Sequence, residues 1–396
     1  MYPLVDEGYE GTKVCHYFTT EWQKMGHEVR VIRLTTCFPR IAYLIGDYFK
    51  ERIKAKTGAV VYTKRFSKYH RYVLDNVPVL LTPIYKVIPH LVPSEKKLEQ
   101  IMFQAFEDLK AEGFIPDIIT AHFQNPQLMA LYLAKKEFPN ACTCMVMHND
   151  GSKLQGLYKE NLGKYMKTID AWGFRSYAFK NGFEKIFGKQ KNSFVCFSGI
   201  PESYITKTQK ELSPAVNKFV FLGSLFELKR VDDTIKALSN VYKNQDFEFN
   251  VIGDGAEMIH LKELASSLGV ENRVHFLGRR NRDEAQNLIA KSDIFVMVSA
   301  HEAFGLVYVE AMAKGCITIG TKGQGIDGVI KHGENGFLCE SKKPEALALL
   351  IKDIVSLSKV ELERISLNAM ETARFMTNEK AAENYINSIQ KFISAS

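Results

Sequence analysis

No apolar run in this chain approaches the ~18–20 residues that a membrane-spanning helix requires, which excludes a helical integral membrane protein. The opening residues, MYPLVDEGYEGTK, contain acids and no apolar block, so they do not read as a secretory leader. A cytoplasmic location is the resulting expectation. Cysteine is also scarce, with seven scattered residues in 396. Only Cys142 and Cys144 are close, in a CTC pattern inside an expected strand, where alternate residues share a face. No His/Cys pair at ligand spacing accompanies them, which argues against a metal site. Internal repeats and low-complexity tracts are missing as well.

What is present is the composition of a folded protein: 46% hydrophobic and 24% charged residues leave little room for extensive disorder. A length of 396 residues suggests two to three domains, each able to bury its own core. The net charge of +7 is uneven. Residues 1–200 carry 28 basic against 19 acidic side chains, and residues 201–396 carry 24 against 26. The excess concentrates in 50–71, with eight basic residues, one acid and interleaved Phe66, Tyr62, Tyr69 and nearby Tyr48, Phe49 and Tyr72. Such a stretch reads as a solvated basic face, or as a contact for an anionic membrane or a lipid-pyrophosphate acceptor. No nucleic-acid-binding module accompanies it, so nucleic acid is not an expected partner.

Strand and helix patterns alternate in both halves, which predicts an α/β fold. In the first half, helices are expected over 12–26, 94–113 and 125–138, and strands over 27–34, 77–84, 116–123 and 142–150. Ser94 is the expected N-cap and Gly113 the stop of the long helix. Segments 170–176 and 192–199 bracket a further expected helix. In the second half, strands at 218–223, 247–255, 273–278, 292–300 and 317–323 alternate with helices at 231–243, 257–269, 282–292 and 305–315. Amphipathic helices follow at 343–358 and 378–393. The polar segment 201–217, with two prolines, marks the expected boundary. The glycine loop DEGYEGTK (6–13) begins almost at once, with only Met1–Val5 to form a preceding strand; the expectation is that the natural chain starts upstream of Met1.

The most informative segment is 302–310, EAFGLVYVE. Glu302 falls on the loop leaving a strand and Glu310 in the first turns of the next helix. Phe304, Gly305 and Leu306 offer backbone N–H groups at the helix start, an anion site. Both acids can reach a crevice at the carboxyl end of a parallel sheet. A crevice with an anion pocket and two carboxylates suits a nucleotide-diphosphate sugar. Early acids that merely complement the helix dipole give the competing reading.

The segment SAHEAFGLVYVEAMAKGCITIGTKGQGIDGVIKHGENGFLCE (299–340) resembles the donor-binding signature of glycosyltransferase family 4. The resemblance is strong over 215–345 and looser before it. It implies the GT-B fold: a Rossmann-like acceptor-side domain over 1–200, a nucleotide-sugar-binding domain over 201–375, a cleft between them, and a final helix, 376–396, crossing back to the first. It implies a retaining hexosyltransferase acting on a polysaccharide or lipid-linked acceptor; the charge of 50–71 adds the expectation of a cytoplasmic enzyme peripheral at the inner face of the membrane. Glu302 would orient the sugar and stabilise charge at C1, and Glu310 would hold the ribose hydroxyls. Lys229 would neutralise the diphosphate. Ser224 stands where the family usually has arginine, which halves the cationic clamp unless Arg230 or another basic residue substitutes. His148 would contact the transferred sugar, with Asp150 assisting, and His122 would be structural or on the acceptor side. Gly8 and Gly11 take the positions of the family's N-terminal glycine turn. Gly253, in a GDG strand exit, and Leu277, Gly278 and Arg279 would lie near the donor. Gly323, Gly325 and Asp327 would shape the sugar pocket. The chain has no DxD metal motif, so the expectation is no metal or cofactor, with the nucleotide sugar as donor substrate. A nucleotide-sugar epimerase of the same architecture, or a non-catalytic sugar-nucleotide-binding subunit, is the alternative.

Overall fold

A computed structural model describes residues 13–44, 46, 65–87, 92–243 and 245–393 of the chain. The described residues form two compact units. The first holds the described residues as far as Phe174, then Phe183–Phe194 and everything from Ala382 on; the second holds Arg175–Gly182 and Val195–Ala381.

The first unit contains two sheets. One has the order β1-β3-β2, built from β1 (Val31–Cys37), β2 (His70–Leu74) and β3 (Val77–Tyr85). Here β1 runs parallel to β3, while β2 and β3 form an antiparallel hairpin. The hairpin turn is Asp75–Asn76, with φ of 47° and 64°. Positive φ at both central residues is what a two-residue turn between twisted strands demands, and Asp and Asn tolerate it. The second sheet has the order β4-β5-β6-β7, from β4 (Ile118–His122), β5 (Cys142–Met147), β6 (Ala171–Phe174) and β7 (Ser193–Val195). Among the described residues β1 and β4 do not pair with each other, and Met1–Val5 lie outside those residues. The helix Glu95–Ala111 is capped by Ser94, whose hydroxyl accepts the Lys97 N–H, and it ends before Gly113 at φ 71°. Its stripe Leu98, Met102, Ala105, Phe106 and Leu109 is buried at helical spacing. From Ala382 the final helix, Asn378–Ile393, belongs to this unit, where the Trp22 indole N–H donates to the Ala382 carbonyl at 2.9 Å.

The second unit is a single six-stranded parallel sheet in the order β10-β9-β8-β11-β12-β13. Its strands are β8 (Lys218–Leu222), β9 (Glu248–Ile252), β10 (Val274–Gly278), β11 (Ile294–Val296), β12 (Ile317–Thr321) and β13 (Phe337–Cys339). This is the doubly wound order that reverses between β8 and β11. Both faces of the central strands are covered, so Phe219, Phe221, Phe249 and Phe295 are fully buried and the strands read as apolar runs rather than alternations. The helix Lys359–Arg374, absent from the sequence reading, opens on a complete capping box between Ser358 and Glu361.

All seven cysteines are free thiols. Among the described residues no helix is long and apolar enough to cross a membrane, and no group of His, Cys, Asp or Glu could hold a metal ion.

Candidate functional site

The order reversal places the loops after β8 and β11 side by side at the carboxyl ends of the central strands. Open α/β sheets bind ligands at such switch points. The loop after β8 makes a short 3-10 turn, Glu227–Lys229, before the helix Val231–Tyr242. The loop after β11 carries Glu302 and leads into the helix Leu306–Ala313. One backbone bond ties the loops together: the Ala300 N–H donates to the Leu228 carbonyl at 2.8 Å. Beside it, Lys229 Nζ donates to Glu302 Oε2 at 2.5 Å. Both side chains are mostly covered, 23% and 14% exposed, so the pair is screened less than a surface pair would be.

Glu302 is fixed from every side. Its other carboxylate oxygen accepts the Ala303 N–H at 3.1 Å. Its own N–H donates to Gln324 Oε1 at 3.1 Å, and its carbonyl accepts the Gly325 N–H at 3.0 Å. The segment after β12 thus cradles the Glu302 loop. A Cβ on Gly325 would lie 2.5 Å from the backbone of Ala303 and Phe304, so only glycine permits this approach. Gln324 was not singled out in the sequence, because a glutamine between two glycines carries no pattern of its own. Gly323 donates its N–H to the Asp327 carboxylate at 2.6 Å, so these two residues close the turn on itself.

The helix Leu306–Ala313 starts from Gly305, which takes φ 78°. A Cβ there would meet the Tyr308 ring at 2.5 Å. Tyr308 is fully buried, and its hydroxyl donates to the Met297 carbonyl at 2.7 Å. Phe304 is buried and Leu306 partly so, which leaves their role to the backbone. Glu310 accepts from Gln286 Nε2 at 2.7 Å. Burial raises its carboxyl pKa, opposed by the positive charges of Arg282 and Lys314 and by the Gln286 bond.

Arg230 points elsewhere. It caps the helix Val231–Tyr242 in a left-handed conformation, φ 53°, and its guanidinium holds Asp233 through two bonds of 3.0 and 2.7 Å and Asp232 at 2.9 Å. That engagement raises its pKa, first through the bond to Asp233. Its charge is therefore answered locally, and it makes a poor substitute for the arginine that Ser224 replaces. Ser224 itself is exposed.

The GDG exit from β9 has a packing reason. A Cβ on Gly253, at φ 142°, would sit 1.8 Å from the Gly223 carbonyl oxygen, and one on Gly255 would sit 2.3 Å from that of Leu225. The Leu225 N–H donates to the Asp254 carbonyl at 3.0 Å. Gly253 N–H donates to the Gly278 carbonyl at 2.9 Å, joining the exits of β9 and β10. Leu277 is half-buried, Gly278 takes φ 68°, and Arg279 is exposed at this edge.

In the first unit, His122 ends β4 and His148 follows β5, adjacent parallel strands. His122 Nδ1 and His148 Nε2 are 3.1 Å apart, in hydrogen-bond contact. Asp150 accepts the Ser152 N–H at 3.0 Å, as an Asx turn does. Gly8 and Gly11 lie outside the described residues, as do 50–64 of the basic stretch.

Solved structures share this architecture. A glycosyltransferase from Rickettsia africae superposes with a TM-score of 0.67 at 18% identity, over 99% of this chain and 97% of that one. The Anabaena protein HepE, crystallised with UDP and glucose, superposes with a TM-score of 0.61 at 19% identity, over 91% of this chain and 99% of that one. The fold is GT-B. Residues 205–372 match the family described as glycosyl transferases group 1. The N-acetyl-alpha-D-glucosaminyl L-malate synthase of Bacillus anthracis is 29% identical over 235 residues, which span 57% of this chain and 61% of that protein. The lipopolysaccharide core biosynthesis glycosyltransferase LpsE of Rhizobium meliloti is 37% identical over 106 residues, 27% of this chain and 31% of that protein. The chain therefore spans about three fifths and one third of these relatives' lengths.

Proposed function

We propose that the chain transfers a hexosyl unit from a nucleotide-diphosphate sugar to a glycan or lipid-linked acceptor, with retention at the anomeric carbon. The observation that carries this reading is the Lys229–Glu302 pair, held by the two loops at the switch point of the second unit. In this reading the diphosphate takes the Lys229 ammonium and the backbone donors at the start of the helix Leu306–Ala313. Charge that develops on the leaving phosphate is then stabilised by groups already in place. Glu302, fixed by Ala303, Gln324 and Gly325, orients the sugar and faces the positive character at C1. Glu310 serves the ribose hydroxyls, and His148 contacts the transferred sugar. The acceptor hydroxyl attacks from the face of the departing phosphate, whose oxygen takes the proton. Lys229 and the helix start supply the charge that a metal supplies elsewhere, so transfer is expected to persist in chelator.

HepE was crystallised with UDP and with UDP-glucose, which puts UDP-sugars first among donors to test. The test incubates the full chain with UDP-, GDP- and dTDP-sugars, with and without lipid-linked acceptors, and records nucleoside-diphosphate release and product configuration. Sugar transfer with an α-linked donor giving an α-linked product supports the reading. Inversion at that carbon, or epimerised nucleotide sugar formed without acceptor, overturns it. Attachment to an anionic membrane through the 50–71 stretch is part of the same proposal, and binding to vesicles should rise with their anionic lipid content.

The exposed Ser224 favours a second reading, a binding subunit without activity. Stabilisation by a nucleotide sugar with no transfer to any acceptor would support it.

A further inference from the structure

His122 is a second imidazole that the proposed reaction does not use, yet it is built into the first unit with care. Its ring lies against Phe18, at 5.9 Å between centroids and 27° between planes, and meets the edge of Tyr385 at 5.8 Å. Tyr385, only 1% exposed, comes from the final helix and is itself held edge-on by Phe18 and Trp22, both at 5.1 Å. Its hydroxyl is hydrogen-bonded to Thr120 and lies 3.3 Å from His122 Nε2. His122 Nδ1 meets His148 Nε2 at 3.1 Å. A chain of polar contacts therefore runs Thr120, Tyr385, His122, His148.

The far end carries strain. Phe123 follows His122 with φ 67°, a left-handed conformation that a bulky residue rarely adopts. That turn lays the Phe123 ring on His148 at 3.9 Å and 21°. Backbone strain of this kind persists where the surroundings over-determine it, and it clusters at functional sites.

A neutral imidazole has one donor and one acceptor nitrogen. The bond between the rings needs one N–H and one lone pair, so His122 Nδ1 and His148 Nε2 share a single proton. With the Tyr385 hydroxyl donating to His122 Nε2, His122 carries its proton on Nδ1 and donates it to His148 Nε2. If His122 Nε2–H donates to the Tyr385 oxygen instead, His122 Nδ1 accepts and His148 Nε2 carries the proton. The two rings cannot choose tautomers independently. We propose that His122 is a positioning residue: with Tyr385 it sets which nitrogen of His148 carries the proton and holds that ring in place. The proposal rests on the reading of His148 as a contact to the transferred sugar, since a fixed tautomer decides whether that ring donates to or accepts from a sugar hydroxyl.

The test labels histidine with nitrogen-15 in the full chain and reads the His148 ring nitrogens, assigned by their loss in His148→Gln. Tyr385→Phe keeps the aromatic packing and removes only the hydroxyl. His122→Phe keeps a ring against Phe18 and removes the polar link, while His122→Gln restores a donor and an acceptor. The expected result is one His148 tautomer in the parent, a mixture in Tyr385→Phe and His122→Phe, and partial recovery in His122→Gln. Transfer should fall about tenfold in kcat in the first two, the worth of one neutral hydrogen bond, with little change in KM for the donor. A His148 tautomer that ignores both substitutions overturns the proposal whatever the activity does. A tautomer that responds while His148→Ala keeps full transfer supports the positioning and instead removes His148 from the reaction, so the two failures are separable. If His122→Phe does not fold, Tyr385→Phe alone decides.

Discussion

Lys229 Nζ and Glu302 Oε2 lie 2.5 Å apart although 73 residues separate them in the chain. They meet because β8 and β11 are neighbours in the sheet and each loop leaves from a carboxyl end. Glu302→Gln keeps the shape and the Ala303 contact but removes the charge. The expected outcome is a loss of about 10²–10³-fold in kcat, the scale of removing one pre-placed electrostatic group. The melting temperature should change little, because a partly exposed ion pair is worth only about 1 kcal/mol. Kinetics and calorimetry on the same preparation check both halves; full activity in Glu302→Gln would sink the assignment.

Arg230 makes the opposite prediction. Asp233 is 1% exposed, and Arg230 is its cation. Arg230→Ala leaves that carboxylate buried without its partner, which costs about 3 kcal/mol. Nucleotide affinity, measured by titration calorimetry on the folded fraction, should stay within about twofold, because a spent guanidinium adds little to a phosphate site. A large loss of affinity with stability intact would return Arg230 to the donor site.

Gly253 and Gly269 both take positive φ but should respond differently to alanine. At Gly253 a Cβ would collide with the Gly223 carbonyl at 1.8 Å, whereas at Gly269 there is open space. Gly269→Ala should cost about 1 kcal/mol in denaturant unfolding, the price of a left-handed alanine. Gly253→Ala should cost upward of about 3 kcal/mol, because backbone must move. Equal losses would mean that the β8 and β9 exits are not packed as described.

Glu310 gives a pH dependence. Burial raises its folded pKa above the unfolded value. The folded state then binds the proton more tightly, so its contribution to stability is fully present below the ordinary carboxyl range, near about 4.3. That contribution is lost as pH rises through the folded pKa. Glu310→Gln, which never ionises, should match the parent in strong acid and become more stable than it toward neutral pH. Melting curves across that range check the sign; a parent that gains on the variant as pH rises contradicts it.

The second unit was largely legible in the sequence, and the reason is physical. Its strands are buried on both faces, so β8, β9 and β12 read as short apolar runs between helices with clear 3.6-residue periods. Glu302 and Lys229 stood out because they flank those runs. The first unit was harder. The strand His70–Leu74 begins where a basic stretch read only for its charge ends, although Asp75–Asn76 is the turn pair of a hairpin. Ser358 and Glu361 announced a helix whose apolar stripe was overlooked beside its stronger neighbour. Lys229 lies in a short turn that the left-handed Arg230 ends before the helix Val231–Tyr242 begins, and no local pattern announces that left-handed residue. The Tyr385–His122 contact joins residues 263 apart, and no local pattern encodes it.

The final helix supplies Trp22's carbonyl partner and the Tyr385 hydroxyl to a unit whose other residues come mostly from the first half of the chain. Synthesis proceeds from the N-terminus, so every strand of the second unit leaves the ribosome before Tyr385 does. The second unit can therefore close its sheet during translation, whereas the first must wait with part of its core uncovered. A chain truncated after Ala381 should carry a protease-resistant second unit and a first unit that is still cleavable.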